Sequence, residues 1–154
     1  FVNVGGVRSS PSATLIAFSA DERDDPPGLL MTHVYVIGAD GTGLTQLTPD
    51  GQTCWYHDWS PDGTKFALTC TPGGVHVMNA DGSGLTQLLP SENSANGPVW
   101  SPDGESIAYG AGCGDVWVVA ATGGTATNLT NDCGIYAHLD WNPMPNATAG
   151  GAGR

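Results

Sequence analysis

One stretch of the sequence decides the fold: Trp59-Ser-Pro-Asp-Gly-Thr-Lys-Phe-Ala-Leu68, which recurs 41 residues later as Trp100-Ser-Pro-Asp-Gly-Glu-Ser-Ile-Ala-Tyr109. After the same interval Trp141-Asn-Pro begins a copy that decays at once, and a degenerate earlier copy reads Ser10-Pro-Ser-Ala-Thr-Leu-Ile-Ala-Phe18. Ser10 precedes Ser60 by 50 residues, so the first unit contains about nine inserted residues. A fixed period of this size indicates a repeat architecture.

A second motif keeps the same period and divides each unit into four short strands, A to D. Its copies begin at Val34-Tyr-Val-Ile, Val75-His-Val-Met and Val116-Trp-Val-Val. The Ser-Pro-Asp-Gly turn joins strands A and B, because Pro presets φ at the second turn position and Gly takes the left-handed position. Strand B is predicted at 65–69 and 106–110, strand C at 75–79 and 116–120, and strand D ends at Leu47, Leu88 and Leu129. No segment shows helical periodicity with caps, so the sequence predicts an all-β chain.

Four strands in about 41 residues are typical of a β-propeller blade. The motifs also resemble the WD-like propeller repeats of the TolB family, which carry the same W-S-P-D-G…I-A-F and Y-V-M-x-x-D-G…L-T patterns. The resemblance covers almost the whole chain and implies three four-stranded blades plus the first strand of a fourth. We expect a repeat region at 1–145, with units at about 1–52, 53–93 and 94–135 and an extra strand at 136–143. The remaining residues, 146–154, are predicted to form a flexible Gly-rich tail.

The composition excludes several classes of partner. The net charge is −11, from 15 Asp and Glu against 4 Lys and Arg, so the chain cannot neutralise nucleic-acid phosphates and is repelled by anionic lipid. No apolar run approaches the roughly 20 residues that a membrane span needs, and we expect no membrane insertion. The N-terminal residues lack the basic head and apolar stretch of a signal peptide, so export requires a signal that has been removed or that precedes this segment.

The positions of Cys54 and Cys70 predict a disulfide across one hairpin. If Trp59 faces Thr64 across the Ser-Pro-Asp-Gly turn, the two cysteines lie within one residue of direct opposition on strands A and B. Cross-strand neighbours bring Cβ atoms to the distance that a disulfide needs.

The other two cysteines predict a second disulfide between units. In the same register Cys113 faces position 92, and Cys133 stands at the place of Glu92 one unit later. We therefore predict Cys113–Cys133, with free buried thiols as the alternative for all four cysteines. No pair has zinc spacing, and two disulfides indicate an oxidising compartment.

Two histidines with neighbouring carboxylates are candidate channel-lining residues. His57 and Asp58, like His138 and Asp140, lie on strand A, which lines the central channel of a propeller. Some propeller lyases hold a metal with axial histidines, but these two histidines are one residue out of phase between units. We therefore expect them on opposite strand faces, with no metal site and no cofactor.

The two remaining histidines are interpreted as structural. His76 shares its position in strand C with Tyr35 and Trp117, so we expect it to pack as a flat ring. His33 lies outside the repeat and is predicted on the surface.

Acidic residues in turns could bind calcium but are better explained by the turns themselves. Asp62 and Asp103 in the Ser-Pro-Asp-Gly turns, and Asp40 and Asp81 in the Asp-Gly turns, are expected to accept hydrogen bonds from their own turns. The acidic stretch 21–25 lies in the insertion of the first unit. It lacks the spacing of a calcium loop, so we expect a solvated loop there.

No nucleophile motif or Ser/His/Asp set stands out, so the predicted function is non-catalytic. We expect a secreted or periplasmic scaffold that binds a protein or glycan in the cell envelope or extracellular space, as the TolB resemblance implies. The alternatives are enzymatic and structural. The repeats also resemble the propeller of prolyl-oligopeptidase-type peptidases, so one enzymatic alternative is a fragment of such a peptidase, and the other is a metal-dependent lyase. The structural alternative is a subunit of a surface assembly.

The blade count predicts assembly between chains. Propellers close with four or more blades, whereas this chain contains three, and the first strand of the first unit, 1–9, lacks the Trp. We expect the strand around Trp141 to complete the first blade of a second copy, so that a homodimer closes a six-bladed ring. A fragment of a longer propeller would have the same sequence features.

Overall fold

The computed structural model describes residues 1, 3–23, 30–89, 95–133 and 139–141. These residues form three four-stranded antiparallel sheets, each with its strands in chain order. The first sheet contains β1 Val4–Ser9, β2 Leu15–Arg23, β3 Leu30–Gly38 and β4 Thr45–Gln46. The second contains β5 Cys54–Trp59, β6 Lys65–Cys70, β7 Val75–Asn79 and β8 Thr86–Gln87. The third contains β9 Asn96–Trp100, β10 Ser106–Ala111, β11 Asp115–Ala120 and β12 Thr127–Asn128.

The predicted all-β architecture is confirmed, and we call the three sheets blades 1, 2 and 3. Both predicted copies of strand C are strands, and strands B and D lie within one residue of their predicted bounds. In the part of the chain that is described, no helix is long and apolar enough to span a membrane.

The hairpin register of blade 2 differs from the prediction. Trp59 lies opposite Phe66, not Thr64, because the turn is a longer loop that closes with a hydrogen bond from the Ser60 amide to the Lys65 carbonyl. A bulge between Trp55 and His57 then removes one residue from the ladder. Cys54 and Cys70 therefore lie directly opposite each other.

The insertion in the first unit lengthens a hairpin and forms no solvated loop at its start. β2 continues through Asp21, which accepts hydrogen bonds from Asn3 and Thr32 at 2.9 and 2.7 Å. These bonds lower the pKa of Asp21, with Asn3 as the larger cause. The acidic residues Asp24 and Asp25 lie outside the described residues.

The longer hairpin also corrects the prediction for His33. This residue pairs with Ala20 in the extended ladder and is 1% exposed, so it is buried and not on the surface. Its Nδ1 lies 3.3 Å from the Thr48 hydroxyl. The alignment of the repeat units did not reveal the burial of His33, because blade 2 has no extension that corresponds to this part of the hairpin.

Two apolar cores join the blades. The core between blades 1 and 2 includes Val34, Leu47, Phe66 and Met78, and the Trp59 ring lies 4.0 Å from that of Phe66. The core between blades 2 and 3 is built from the following buried residues: Ala67, Val75, Leu89, Ala95, Trp100, Ile107, Tyr109, Ala111 and Val119. Each blade thus buries one face against its neighbour, as packed sheets require.

The start of a fourth unit lies against blade 3 as blade 2 lies against blade 1. The Trp141 indole N–H donates to the Val99 carbonyl at 3.1 Å, and the Trp59 indole N–H donates to the equivalent Arg8 carbonyl at 3.4 Å. Leu139 to Trp141 are described but form no ladder. The rest of the predicted strand and the tail at 146–154 lie outside the described residues.

The predicted strand exchange would displace β1 of the second copy. β1 already pairs with β2 and completes blade 1 from within the same chain, although no Trp is present. Trp141 meanwhile contacts blade 3 of its own chain. The missing Trp therefore changes the packing of β1 without preventing its pairing.

Candidate binding site on the inner strands

The first strands of the three blades share a left-handed residue at one position. These strands, β1, β5 and β9, contact one another in sequence and are called the inner strands. Gly6, Tyr56 and Gly97 have φ values of +62°, +47° and +56°. They occupy the same place in the repeat, and the pairing register shifts at each of them. A bulge of this type bends a strand and redirects its side chains.

The bulges border a cavity of about 230 Å³, here called the inner-strand cavity. All three inner strands contribute to it, together with the turn between β10 and β11 and one residue of the fourth unit. Its lining residues are Gly6, Arg8, Tyr56, His57, Asn96, Gly97, Pro98, Val99, Gly110, Ala111, Gly112, Gly114 and Leu139. Tyr56 is 53% exposed, so its ring forms an open part of the wall.

His57 borders the cavity but turns its ring toward blade 1. It is 4% exposed, and its Nδ1 lies 3.0 Å from the Ser19 hydroxyl. No hydrogen-bond partner for Nε2 is found in the described part of the chain. Burial lowers the pKa of His57 to about 4; the Ala17 carbonyl opposes this shift and the Arg8 charge adds to it. The ring is therefore neutral at pH 7.

Asp58 points to the other side of β5, as expected for alternating strand residues. Its Oδ2 accepts a hydrogen bond from the Trp100 amide at 2.9 Å, which ties β5 to β9. Burial raises the pKa of Asp58, the Trp100 amide and the Arg8 charge oppose the shift, and Asp140 adds to it. Arg8, Asp58 and Asp140 occupy the same place in their units, so this position carries charges of both signs.

The predicted channel-lining set is thus only partly brought together. His57 borders the cavity, Asp58 joins two blades, Asp140 is exposed, and His138 lies outside the described residues. Leu139, one residue from His138, is the member of the fourth unit that lines the cavity. Among the residues described, no three His, Cys, Asp or Glu side chains form a group that could hold a metal ion.

Both predicted disulfides are present. Cys54–Cys70 is buried within blade 2, while Cys113 and Cys133 are exposed and join the β10–β11 turn to the segment after β12. Asp115 holds this second connection. It accepts hydrogen bonds from the amides of Asp132 and Cys133 and from the side chains of Asn128 and Thr130, and these bonds lower its pKa, with Asn128 the largest cause.

The turn carboxylates behave as expected. Asp62 and Asp103 accept hydrogen bonds from the hydroxyl two residues before them and from the amide two residues after them. Asp40 and Asp81 accept from the amide and hydroxyl two residues after them. The pKa of each is lowered by these bonds, so the four carboxylates organise turns.

The predicted ring position of strand C is also confirmed. Tyr35, His76 and Trp117 pair with Gln46, Gln87 and Asn128 at equivalent places in the three blades. His76 is 4% exposed, and its Nδ1 lies 3.3 Å from the Gly74 carbonyl.

Sequence reasoning missed Arg8, Tyr56 and Asp115. A signal for Tyr56 existed, because aligning the units through their Trp places it with Gly6 and Gly97. Asp115 gave no such signal, since its equivalents in the other units are His33 and Gly74. Its role depends on how the segment after β12 folds back.

Comparisons with known proteins show the fold. No family model and no curated protein matches this chain. A putative TolB from Agrobacterium tumefaciens is similar, with a TM-score of 0.67 and 25% identity over 89% of this chain and 48% of that one. The propeller domain of the Trilobed protease from Pyrococcus furiosus gives 0.64 and 12%, over 86% and 44%. An oligogalacturonate lyase in complex with manganese gives 0.61 and 17%, over 81% and 35%.

This chain therefore spans about half the length of the TolB chain that it matches, and less of the other two. The two more distant similarities carry information about the fold alone. Together with the sheet topology, these comparisons show that the chain forms β-propeller blades similar to those of TolB-type and related propeller proteins.

Proposed function

We propose that these blades belong to a non-catalytic scaffold that binds a protein or glycan partner at the inner-strand cavity. The observation that carries the proposal is the construction of this cavity from the first strands of all three blades. Its wall combines the open Tyr56 ring and the half-buried Leu139 with the Arg8 guanidinium. Binding pockets typically have such a mainly apolar lining with a few placed polar groups.

A non-catalytic role is supported by the hydroxyl–imidazole pair that lies next to the cavity. Ser19 and His57 lie within hydrogen-bond distance at 3.0 Å. A general base is most effective when its pKa is close to the working pH, whereas burial lowers the pKa of His57 to about 4.

A location outside the cytoplasm is part of the proposal. Its support is the presence of two disulfides that use all four cysteines. Disulfides persist in oxidising compartments such as the periplasm and the extracellular space. The strongly acidic composition is compatible with either.

We further propose that two copies of the chain close a six-bladed ring, in which the strand around Trp141 takes the place of β1 in the second copy. Large apolar side chains are exposed at both ends of the blade series: Val4 and Val7 on β1 are 57% and 56% exposed, and Leu129 after β12 is 60% exposed. Exposed apolar patches mark interfaces. Light scattering that gives twice 15.8 kDa supports the ring, and a monomer at high concentration refutes it.

The experiment that tests the binding function fills the cavity. Asn96→Trp places a large ring in the cavity wall, and Thr86→Trp, on an exposed strand outside it, is the matched control. Each immobilised chain is exposed to a glycan array and to proteins of the cell envelope and extracellular medium. We expect ligands retained by the wild type and Thr86→Trp to be lost by Asn96→Trp.

Equal retention by the Asn96→Trp variant contradicts the assignment of the cavity. Ligands are also incubated with the wild type, with and without manganese, and their masses are measured. Turnover in either condition replaces the scaffold proposal with one of the two enzymatic alternatives, the peptidase or the metal-dependent lyase.

A further inference from the structure

Tyr56 occupies a backbone conformation that the other two blades assign to glycine. The three equivalent residues, Gly6, Tyr56 and Gly97, all have positive φ. A left-handed conformation costs a residue with a Cβ atom free energy that glycine does not lose, and it is an outlier for a bulky side chain. The repeat therefore provides its own reference for what this position prefers.

Core packing does not compensate this strain. The Tyr56 side chain is 53% exposed and belongs to neither apolar core. Its ring lines the inner-strand cavity between the two glycines. Strained residues that persist without a packing role are concentrated at functional sites.

The cavity around Tyr56 has an amphipathic wall with little side-chain bulk. A Cβ at Gly97 or Gly112 would meet no atom within 4 Å, so a flat ligand can lie close to the backbone there. Leu139 supplies apolar surface, and Arg8 supplies a planar group with several donors.

The surroundings of this wall carry charges of both signs. Arg8 is close enough to Asp58 to lower the pKa of that carboxyl against the effect of burial, and the guanidinium also donates to the Val7 carbonyl at 3.1 Å. A neutral, polar ligand therefore fits better than a charged one. Nucleotides are disfavoured in addition by the net charge of −11.

We propose that the inner-strand cavity binds one neutral sugar ring, which stacks its C–H face on Tyr56 and offers its hydroxyls to Arg8. This inference rests on the proposed binding function and names the ligand class. A sugar ring is apolar on its faces and polar at its edge, which matches the wall. The volume of about 230 Å³ accommodates a single sugar ring.

The test separates the contribution of the ring from its effect on folding. Binding of neutral glucose, galactose and N-acetylglucosamine oligosaccharides is measured by saturation-transfer NMR and calorimetry for the wild type, Tyr56→Phe and Tyr56→Gly. We expect Tyr56→Gly to unfold at the same or a higher urea concentration than the wild type and to bind at least about tenfold more weakly, as for a lost stacking contact. Tyr56→Phe keeps the ring and is expected to retain affinity within about threefold.

Three results overturn the sugar assignment. They are a Tyr56→Gly variant that binds sugars as tightly as the wild type, a Tyr56→Gly variant that is less stable than the wild type, and no sugar binding at millimolar concentration. If a protein ligand is instead lost in the Asn96→Trp variant, the sugar assignment fails while the binding function stands. If Asn96→Trp loses no ligand, the binding function itself fails.

Discussion

Replacement of Gly82 by alanine tests whether blades 1 and 2 pack as described. Gly82 follows Asp81 in the turn between β7 and β8 and has a φ of +87°. A Cβ at this position would lie 2.8 Å from the Leu47 carbonyl oxygen and 3.2 Å from its Cα. The Leu47 backbone cannot move away easily, because its amide donates to the Val34 carbonyl at 2.8 Å and its side chain is buried in the core between the blades.

The chain offers a matched control in blade 1. Gly41 follows Asp40 in the same turn with a φ of +84°, but a Cβ there would meet nothing within 4 Å. Both substitutions place an alanine in the left-handed conformation, which destabilises the folded chain by about 1–2 kcal/mol. Both also reduce the entropy of the unfolded chain, which offsets about 0.4–1 kcal/mol of that loss. Only Gly82→Ala adds an overpacked contact, which typically costs about 1–3 kcal/mol.

We therefore expect Gly41→Ala to lower the free energy of unfolding by about 1 kcal/mol and Gly82→Ala by about 2–4 kcal/mol. Gly123 provides an intermediate case, because a Cβ there would lie 3.3 Å from the flexible end of the Leu88 side chain. Urea unfolding followed by tryptophan fluorescence measures all three variants. Equal losses for Gly41→Ala and Gly82→Ala refute the close contact between blades 1 and 2.

Three further outcomes are expected. Ala13 has a φ of +57° at the place where the other two turns of this type have glycine, so Ala13→Gly is expected to stabilise the chain by about 0.5–1 kcal/mol in urea unfolding; a loss of stability contradicts this reasoning. The pKa of His57 is about 4 in the folded chain and 6.5 for an unperturbed histidine, so the unfolded chain takes up this proton first as the pH falls. The free energy of unfolding is therefore expected to decrease by about 3 kcal/mol as the pH falls from 6.5 to 4. A His57→Gln variant should lack this part of the pH dependence, and an unchanged pH profile contradicts the burial of a neutral ring. Asp115→Asn is expected to speed reduction of Cys113–Cys133 by thiols, read by alkylation and mass spectrometry, and equal rates in variant and wild type argue against its role in holding that loop.

The repeat carried most of the fold in the sequence. Turn residues and strand patterns are local, so the alignment of Trp59 with Trp100 predicted the blades, their strands and the ring position of strand C. The disulfides also followed from it, since both pairings depend on approximate register alone. The Trp59–Thr64 pairing was wrong because the loop closes between Ser60 and Lys65, and the bulge at Tyr56 then brings Cys54 opposite Cys70.

The candidate site was much less accessible to sequence reasoning. His57 was identified as a residue near the channel, but its direction depends on Ser19, 38 positions earlier. Arg8 was not identified, because its inner strand lacks the tryptophan that marks the other copies. The insertion 21–25 was expected to form a loop, yet β2 continues through Asp21, which accepts hydrogen bonds from Asn3, just before β1, and from Thr32 on β3.

The sequence by itself therefore determined the number of blades, their strand order and their turns, because these depend on contacts between residues close in the chain. The tertiary structure decided which side chains reach the inner-strand cavity. That outcome depends on where each inner strand bulges and on how neighbouring blades pack, as the hydrogen bond from the Trp100 amide to Asp58 illustrates. Such contacts join residues about one repeat apart, and local sequence patterns contain no information on the direction in which a bulged strand turns its side chains.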